Sequence, residues 1–154
     1  MATYEIVPAT IEHVLELAET MREADKDEVW ATSRQMPCAA LLGSLKASRD
    51  ARTGLADGKV LCVFGTTSVT TLGTTGIPWM LSSNILPKHA RAFLRGSIGY
   101  IKEMLGEYDV LVNYVDTRNT VAKRWLGWLG FELAPAAPYG VDHLPFHRFE
   151  MRTV

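Results

Sequence analysis

The stretch Asn119-Thr-Val-Ala-Lys-Arg-Trp-Leu-Gly-Trp-Leu-Gly-Phe131 reads as one short helix that stops at a glycine and turns directly into a strand. Val121, Trp125, Trp128 and Leu129 fall at i, i+4, i+7 and i+8, one apolar stripe at helical period. Ala122 and Leu126 widen the stripe, while Lys123 and Arg124 lie off it. Gly130 supplies the C-terminal stop, because a left-handed backbone is easiest without a Cβ. The same stripe predicts a core-facing helix whose two tryptophans bury a large apolar area.

Outward from that helix, size and composition set the frame. The chain has 154 residues, 47% of them hydrophobic and 21% charged, which fits one globular domain with its own core. A net charge of −1 gives no general pull toward nucleic acid or an acidic membrane. Cys38 and Cys62 make neither a disulfide framework nor a zinc site. The first residues, Met-Ala-Thr-Tyr-Glu-Ile, lack the basic and apolar regions of a signal peptide, and no segment approaches the apolar length of a bilayer span. The expectation is a soluble protein of the reducing cytoplasm.

Toward the N-terminus, Thr3–Val7 reads as a first strand ended by Pro8. Thr10 stands as an N-cap before Ile11, Val14, Leu15, Ala18 and Met21 at helical spacing. Asp25-Lys-Asp-Glu28 has the form of a capping arrangement and predicts a second short helix opening at Asp25. Pro37 suits the first turn of a third helix, running to about Ser48. The period then changes. Arg52–Ala56, the turn Asp57-Gly58 and Val60–Gly65 read as a hairpin whose second strand is apolar on both faces. Residues 66–76 read as the end of that strand and a loop. Ile77–Leu81 is a strand in which Pro78 demands an edge, a bulge or a splayed position. Pro87 opens a long helix with Ala90, Phe93, Leu94, Ile98, Ile101 and Leu105 on its buried face, and Asp109–Val115 is the next strand. After the Asn119 helix come a strand from Gly130 to about Leu133, a Pro- and Ala-rich connection through Tyr139-Gly140, and a last strand, Leu144–Thr153.

This order, with Asn119, Ala122 and Gly130-Phe131 near its end, resembles the GCN5-related N-acetyltransferase superfamily. The resemblance implies a single α/β (α+β) domain over residues 1–154. Its sheet would be mixed, mostly antiparallel and splayed between strands four and five, with helices on both faces. It also implies acetyl-CoA, held between those strands like an added strand, and an amine acceptor on a small molecule or a protein. A narrower resemblance rests on Glu23-Ala-Asp25, Glu28-Val-Trp30, Pro78-Trp79, Arg91-Ala-Phe93, Asn113-Tyr-Val115, Pro138-Tyr-Gly140 and Leu144-Pro-Phe146. These look like a family of small tailed-phage proteins related to the internal core protein of T7-like phages. That likeness implies a phage origin, in the host cytoplasm or the virion, with a phage structural or host protein as partner.

The superfamily's cofactor loop, Gln/Arg-x-x-Gly-x-Gly/Ala, brings backbone N–H groups and a helix N-terminus to the diphosphate. The corresponding stretch here is Pro87-Lys-His-Ala-Arg-Ala92. It keeps the last small residue but has Pro first and Ala90 for the central glycine. The resemblance makes Lys88, His89, Ala90, Arg91, Ala92 and Asn119 the cofactor-binding candidates, with Arg95 a further cation. Seven residues after the Asn, where many members carry an acid tyrosine, stands Leu126. The strand Ile77–Leu81 offers no carboxylate as base. The catalytic candidates are therefore Asp116 and His147 as base and Tyr114 as acid, with His143 and Tyr139 nearby. Asp116 also stands where it would cap the following helix. No Gly-x-Ser-x-Gly, Walker, His-Glu-x-x-His or Cys-x-x-Cys motif is present, and no basic stripe with interleaved aromatics. Two functions follow: an acyl-CoA-dependent N-acetyltransferase with a degenerate cofactor loop, or a non-catalytic phage virion-assembly or host-interaction protein on the same scaffold.

Overall fold

The computed structural model describes residues 1–68 and 73–153. In chain order the elements are β1 (Tyr4–Pro8), α1 (Ile11–Thr20), α2 (Glu23–Ser33), α3 (Pro37–Ala47), β2 (Arg52–Ala56), β3 (Lys59–Ser68) and β4 (Thr75–Ser82). A 3₁₀ turn, Leu86–His89, leads into α4 (Ala90–Glu107), followed by β5 (Val110–Asp116) and α5 (Thr120–Leu129). The chain closes with β6 (Glu132–Leu133), β7 (Ala137–Tyr139) and β8 (Leu144–Arg152). One mixed sheet runs β1-β2-β3-β4-β5-β8-β6, with β7 also paired to β8. Among the described residues every strand pairing is antiparallel except β4 with β5.

Helices cover both faces. Val14 and Leu17 of α1 and Leu41 of α3 pack on Val60 and Val63 of β3. On the other face, Trp125 of α5 with Phe93 and Leu94 of α4 meets Leu61 and Cys62. Farther along that face, Leu111, Val115, Phe131 and Phe149 gather Ile101, Leu126 and Leu129. The strand Val60–Val63 is thus buried on both sides, as its unbroken apolar run requires. At the β2–β3 turn Asp57 and Gly58 have φ of 49° and 80°, the left-handed pair of a type I′ hairpin.

The parallel pair β4–β5 joins only Thr75 with Val110 and Gly76 with Leu111; beyond those residues the strands diverge. Pro78 lies in the diverging part. Its carbonyl accepts a hydrogen bond from Asn113 Nδ2 at 2.7 Å. The N and C=O of one strand residue project from the same side, so the donor that proline lacks faces the opening and β3 loses nothing. This is the splayed position among those the sequence allowed.

Several expectations are corrected. The helix placed at Asp25 opens at Glu23, and its N-cap residue Arg22 makes no side-chain cap. The Asp25 carboxylate instead crosses to β4, because Asp25 is on the helix face turned to the sheet. The long helix starts at Ala90, after the 3₁₀ turn that Pro87 occupies. Ile98 and Trp128, expected in buried stripes, are 40% and 57% exposed. At 100° per residue the buried arc of α5 is centred between Trp125 and Leu129 and extends toward Leu126, which leaves Trp128 on its far edge. Part of the expected connection is the strand β7, paired with Leu144–Phe146. Of the expected loop over 66–76, β3 takes residues to Ser68 and β4 those from Thr75, while residues 69–72 lie outside the described residues.

Candidate active site

The parting of β4 and β5 opens a cavity of about 430 Å³ that reaches both faces of the sheet. Pro78, Trp79 and Met80 line it from β4, Asn113 and Tyr114 from β5, and Trp125 and Leu126 from α5. Asn113 spans the opening. Its Nδ2 donates to the Pro78 carbonyl, and its Oδ1 accepts the Tyr114 N–H at 2.8 Å. A carboxamide thus sits between a β4 acceptor and a β5 donor.

A buried polar cluster closes the α2 side. Asp25, 5% exposed, accepts hydrogen bonds from the Ser82 N–H at 2.8 Å and the Ser82 hydroxyl at 2.7 Å. Its other oxygen pairs with Arg22 at 3.2 Å. Arg22 also donates to Asn119 Oδ1 and lies over the Trp125 ring, 5.4 Å from its centroid. One turn along α2, Glu28 Oε1 accepts the Asp116 N–H at 2.9 Å and Asn119 Nδ2 at 3.0 Å. Asn119 is the hub. It caps α5 by accepting the Ala122 N–H, while its amide group reaches Glu28 and, at 3.5 Å, Asp25.

Burial and hydrogen bonding tune these acids apart. Glu28 is pushed up to about 7, chiefly by burial and further by the charges of Asp25 and Asp116, against the two hydrogen bonds it accepts. Burial also raises Asp25, which Arg22 and Ser82 only partly offset. Burial would raise Asp116 too, but hydrogen bonds and charge from Arg118 prevail and hold it below the usual carboxylate range. Glu28 is thereby set to exchange a proton near neutrality.

The candidates read from sequence are distributed as follows. Tyr114 lines the cavity and stacks on Tyr139, ring centroids 3.8 Å apart. Asp116 is 2% exposed and engaged by Arg118, accepting its backbone N–H at 2.9 Å and its guanidinium at 2.6 Å. His147 Nδ1 lies 2.8 Å from the Ala134 carbonyl. It pairs with Val115, so strand alternation puts it on the face opposite Tyr114. His143 is exposed, in a turn with φ of 53°. At the start of α4, Lys88, Arg91 and Arg95 are exposed and make no ion pair with a described residue. His89 Nδ1 lies 2.7 Å from the Tyr4 hydroxyl. The N–H groups of Lys88 and Ala90 are held inside the 3₁₀ turn, by the carbonyls of Ile85 and Pro87. Ala92 is half-buried. Asn119, Asp116 and Tyr114 thus come together, while His147 and the α4 start lie apart from them. Arg22, Asp25, Glu28 and Ser82 were not among the site candidates read from sequence. The signal was the three-residue spacing of Asp25, Glu28 and Ala31, one helical face that a capping reading absorbs. Among the described residues no His, Cys, Asp and Glu group fits a metal ion, and no helix is long and apolar enough to cross a membrane.

No protein-family model and no curated protein matches the sequence. Solved structures do match. A ribosomal alpha-N-protein acetyltransferase, RimL, in complex with coenzyme A aligns with a TM-score of 0.69 at 9% identity, over 97% of this chain and 94% of that one. The acetyltransferase of the GNAT family from Streptococcus pneumoniae aligns with a TM-score of 0.61 at 12% identity, over 98% and 100%. The protein yncA from Salmonella typhimurium, solved with its cofactor acetyl-CoA, aligns with a TM-score of 0.66 at 14% identity, over 97% and 93%. The likeness is one of fold: this chain has the fold of the GCN5-related N-acetyltransferases.

Proposed function

We propose that the chain is an acyl-CoA-dependent N-acyltransferase that takes acetyl-CoA and acylates a primary amine on a small molecule or protein. The opening between β4 and β5, with a cavity running through it to a buried carboxylate cluster, carries this reading. The fit can be judged at Asn113. Its carboxamide already bridges the Pro78 carbonyl and the Tyr114 N–H, so a secondary amide of a pantetheine arm finds the same acceptor and donor there. Lys88, Arg91 and Arg95 would supply cations to the diphosphate in place of a glycine-rich cradle. Tyr114 is the acid candidate, since its phenol lines the cavity and Leu126 carries no proton. Asp116 and Asn119 would serve to position Glu28. Neighbours of the same fold solved with coenzyme A or acetyl-CoA add support.

Isothermal calorimetry with acetyl-CoA tests the reading. Micromolar binding is expected, weakened by about tenfold or more when Lys88, Arg91 and Arg95 are all changed to Ala, a loss of roughly 1.4 kcal/mol. No binding at millimolar cofactor overturns it. Two observations favour a second reading, a non-catalytic phage virion-assembly or host-interaction protein on this scaffold. Leu126 stands where an acid is usual, and a 3₁₀ turn replaces the glycine loop. Turnover on any amine excludes that reading.

A further inference from the structure

We infer that Glu28 is the proton acceptor of the transfer, and that the acceptor it fits is a monoamine on an uncharged, largely apolar body. This rests on the acyltransferase reading above. Among the described residues, the charged ones lining the cavity are Glu5, Arg22, Asp25 and Glu28. Arg22 and Asp25 are paired with each other, and Glu5 lies on the exposed edge strand β1. That leaves one carboxylate at the inner end free to meet an ammonium group. Glu28 is fixed through one oxygen, Oε1, which accepts from Asp116 N–H and Asn119 Nδ2. Elsewhere the cavity lining includes Val29, Trp79, Leu81 and the Tyr114 ring, surfaces for an apolar or aromatic body and for a cation over a ring face. A polyamine or a basic peptide would need further free carboxylates, and among the described lining residues the one other unpaired carboxylate, Glu5, lies out on the exposed edge strand β1.

The proton path is short. The Glu28 carboxylate takes one proton from the ammonium. The freed nitrogen lone pair forms the C–N bond to the acyl carbon as the C–S bond of the thioester breaks, with the bonding pair leaving on sulfur. The surplus proton on nitrogen ends on that sulfur, and Glu28 returns its own to water. The described charged and titratable groups around Glu28 are Arg22 just before α2, Asp25 and Asp27 on it, and Tyr114, Asp116 and Arg118 from β5 and its end. Asp25 and Asp116 favour its protonated form and Arg118 its ionised form. A base with a proton affinity near neutrality is matched to this task.

The test uses the full chain, acetyl-CoA, and phenethylamine, tryptamine and spermidine as probes. Amine-dependent kcat/KM is expected to favour the two arylalkyl monoamines over spermidine. Glu28→Gln should lower it by about 100-fold or more and abolish the rising limb of the pH profile near 7. Acetyl-CoA affinity by calorimetry should stay within about twofold, and Glu28→Asp should retain part of the rate. The pH titration of the Glu28 side-chain carboxyl carbon by NMR gives a readout independent of turnover, with a midpoint expected near 7. Wild-type rates or an unchanged pH limb in a folded Glu28→Gln protein overturn the inference, as does a preference for spermidine or an ordinary glutamate midpoint. In those cases acetyl-CoA binding still stands. Absence of acetyl-CoA binding overturns both readings together.

Discussion

Glu28 shows how burial couples the protonation of one side chain to stability. Its folded value, about 7, lies above the ordinary 4.5, so the folded state binds the proton more tightly than the unfolded chain. The sign follows directly. The contribution of this group to stability is full below the ordinary value and is lost as pH rises through 7, an effect of roughly 3 kcal/mol at most. Asp25, raised by burial, acts in the same direction; Asp116, held low by Arg118, acts in the opposite one and loses its contribution in acid. Glu28→Gln removes the charge but keeps an oxygen for the Asp116 and Asn119 donors. The variant is expected to melt roughly 5 °C above the wild type at about pH 8 and to match it near pH 5. Thermal unfolding followed by circular dichroism at the two pH values checks this, and equal melting at about pH 8 refutes it. Nothing in the sequence around Glu28 announces that value. It arises where a helix face meets the end of β5, a juxtaposition made by residues 88 and 91 positions apart in the chain.

At the scale of elements, the two tryptophans of α5 separate what periodicity can and cannot give. Trp125 is 9% exposed and meets Phe93 at 5.3 Å between ring centroids, whereas Trp128 is 57% exposed. Trp125→Ala is expected to cost about 3–5 kcal/mol and Trp128→Lys within about 0.5 kcal/mol. Urea denaturation of both variants measures the contrast, and comparable losses would place the buried arc elsewhere. Helix ends and turns that depend on local backbone chemistry were legible. Gly130, with φ of 104°, stops α5, and Asp57-Gly58 makes its hairpin. The start of α2 was not, because an acid three residues before another reads as a cap whether or not the helix begins there. β7 was not legible either. Ala137–Tyr139 has little strand propensity of its own, and its pairing is fixed by Tyr139 stacking on Tyr114 and packing on Phe146. Three-residue edge strands held this way are set by tertiary contact.

For the whole molecule, the mixed, mostly antiparallel sheet splayed between strands four and five was legible through the resemblance that the Asn119–Phe131 string carries, whereas the strand order was not read. Asn119, Asp116 and Tyr114 could be named as candidates because they lie in or beside strongly patterned segments. Arg22, Asp25, Glu28 and Ser82 are joined across β4 and α2, and no local pattern reports that. The narrow β4–β5 seam has a further consequence. β1 to β4 take up residues 4–82 and β5 to β8 residues 110–152, so the sheet is divided in space where the chain is divided in sequence. The cluster of Val14, Leu17, Leu41 and Val63 belongs wholly to the first part, and that of Leu111, Val115, Phe131 and Phe149 wholly to the second. Of the apolar clusters among the described residues, the layer around Leu61, Cys62, Leu86 and Trp125 is the one shared. A break in the exposed turn at Asn84 would therefore leave two fragments, each with its own apolar centre and a common face to rejoin. Co-expressed fragments 1–84 and 85–154 are expected to copurify with the near-ultraviolet circular dichroism of the intact chain, and separate elution would refute it. The molecule is in this sense a natural two-piece protein, with its cavity at the join, and tagging the halves would turn assembly itself into a signal for whatever enters that cavity.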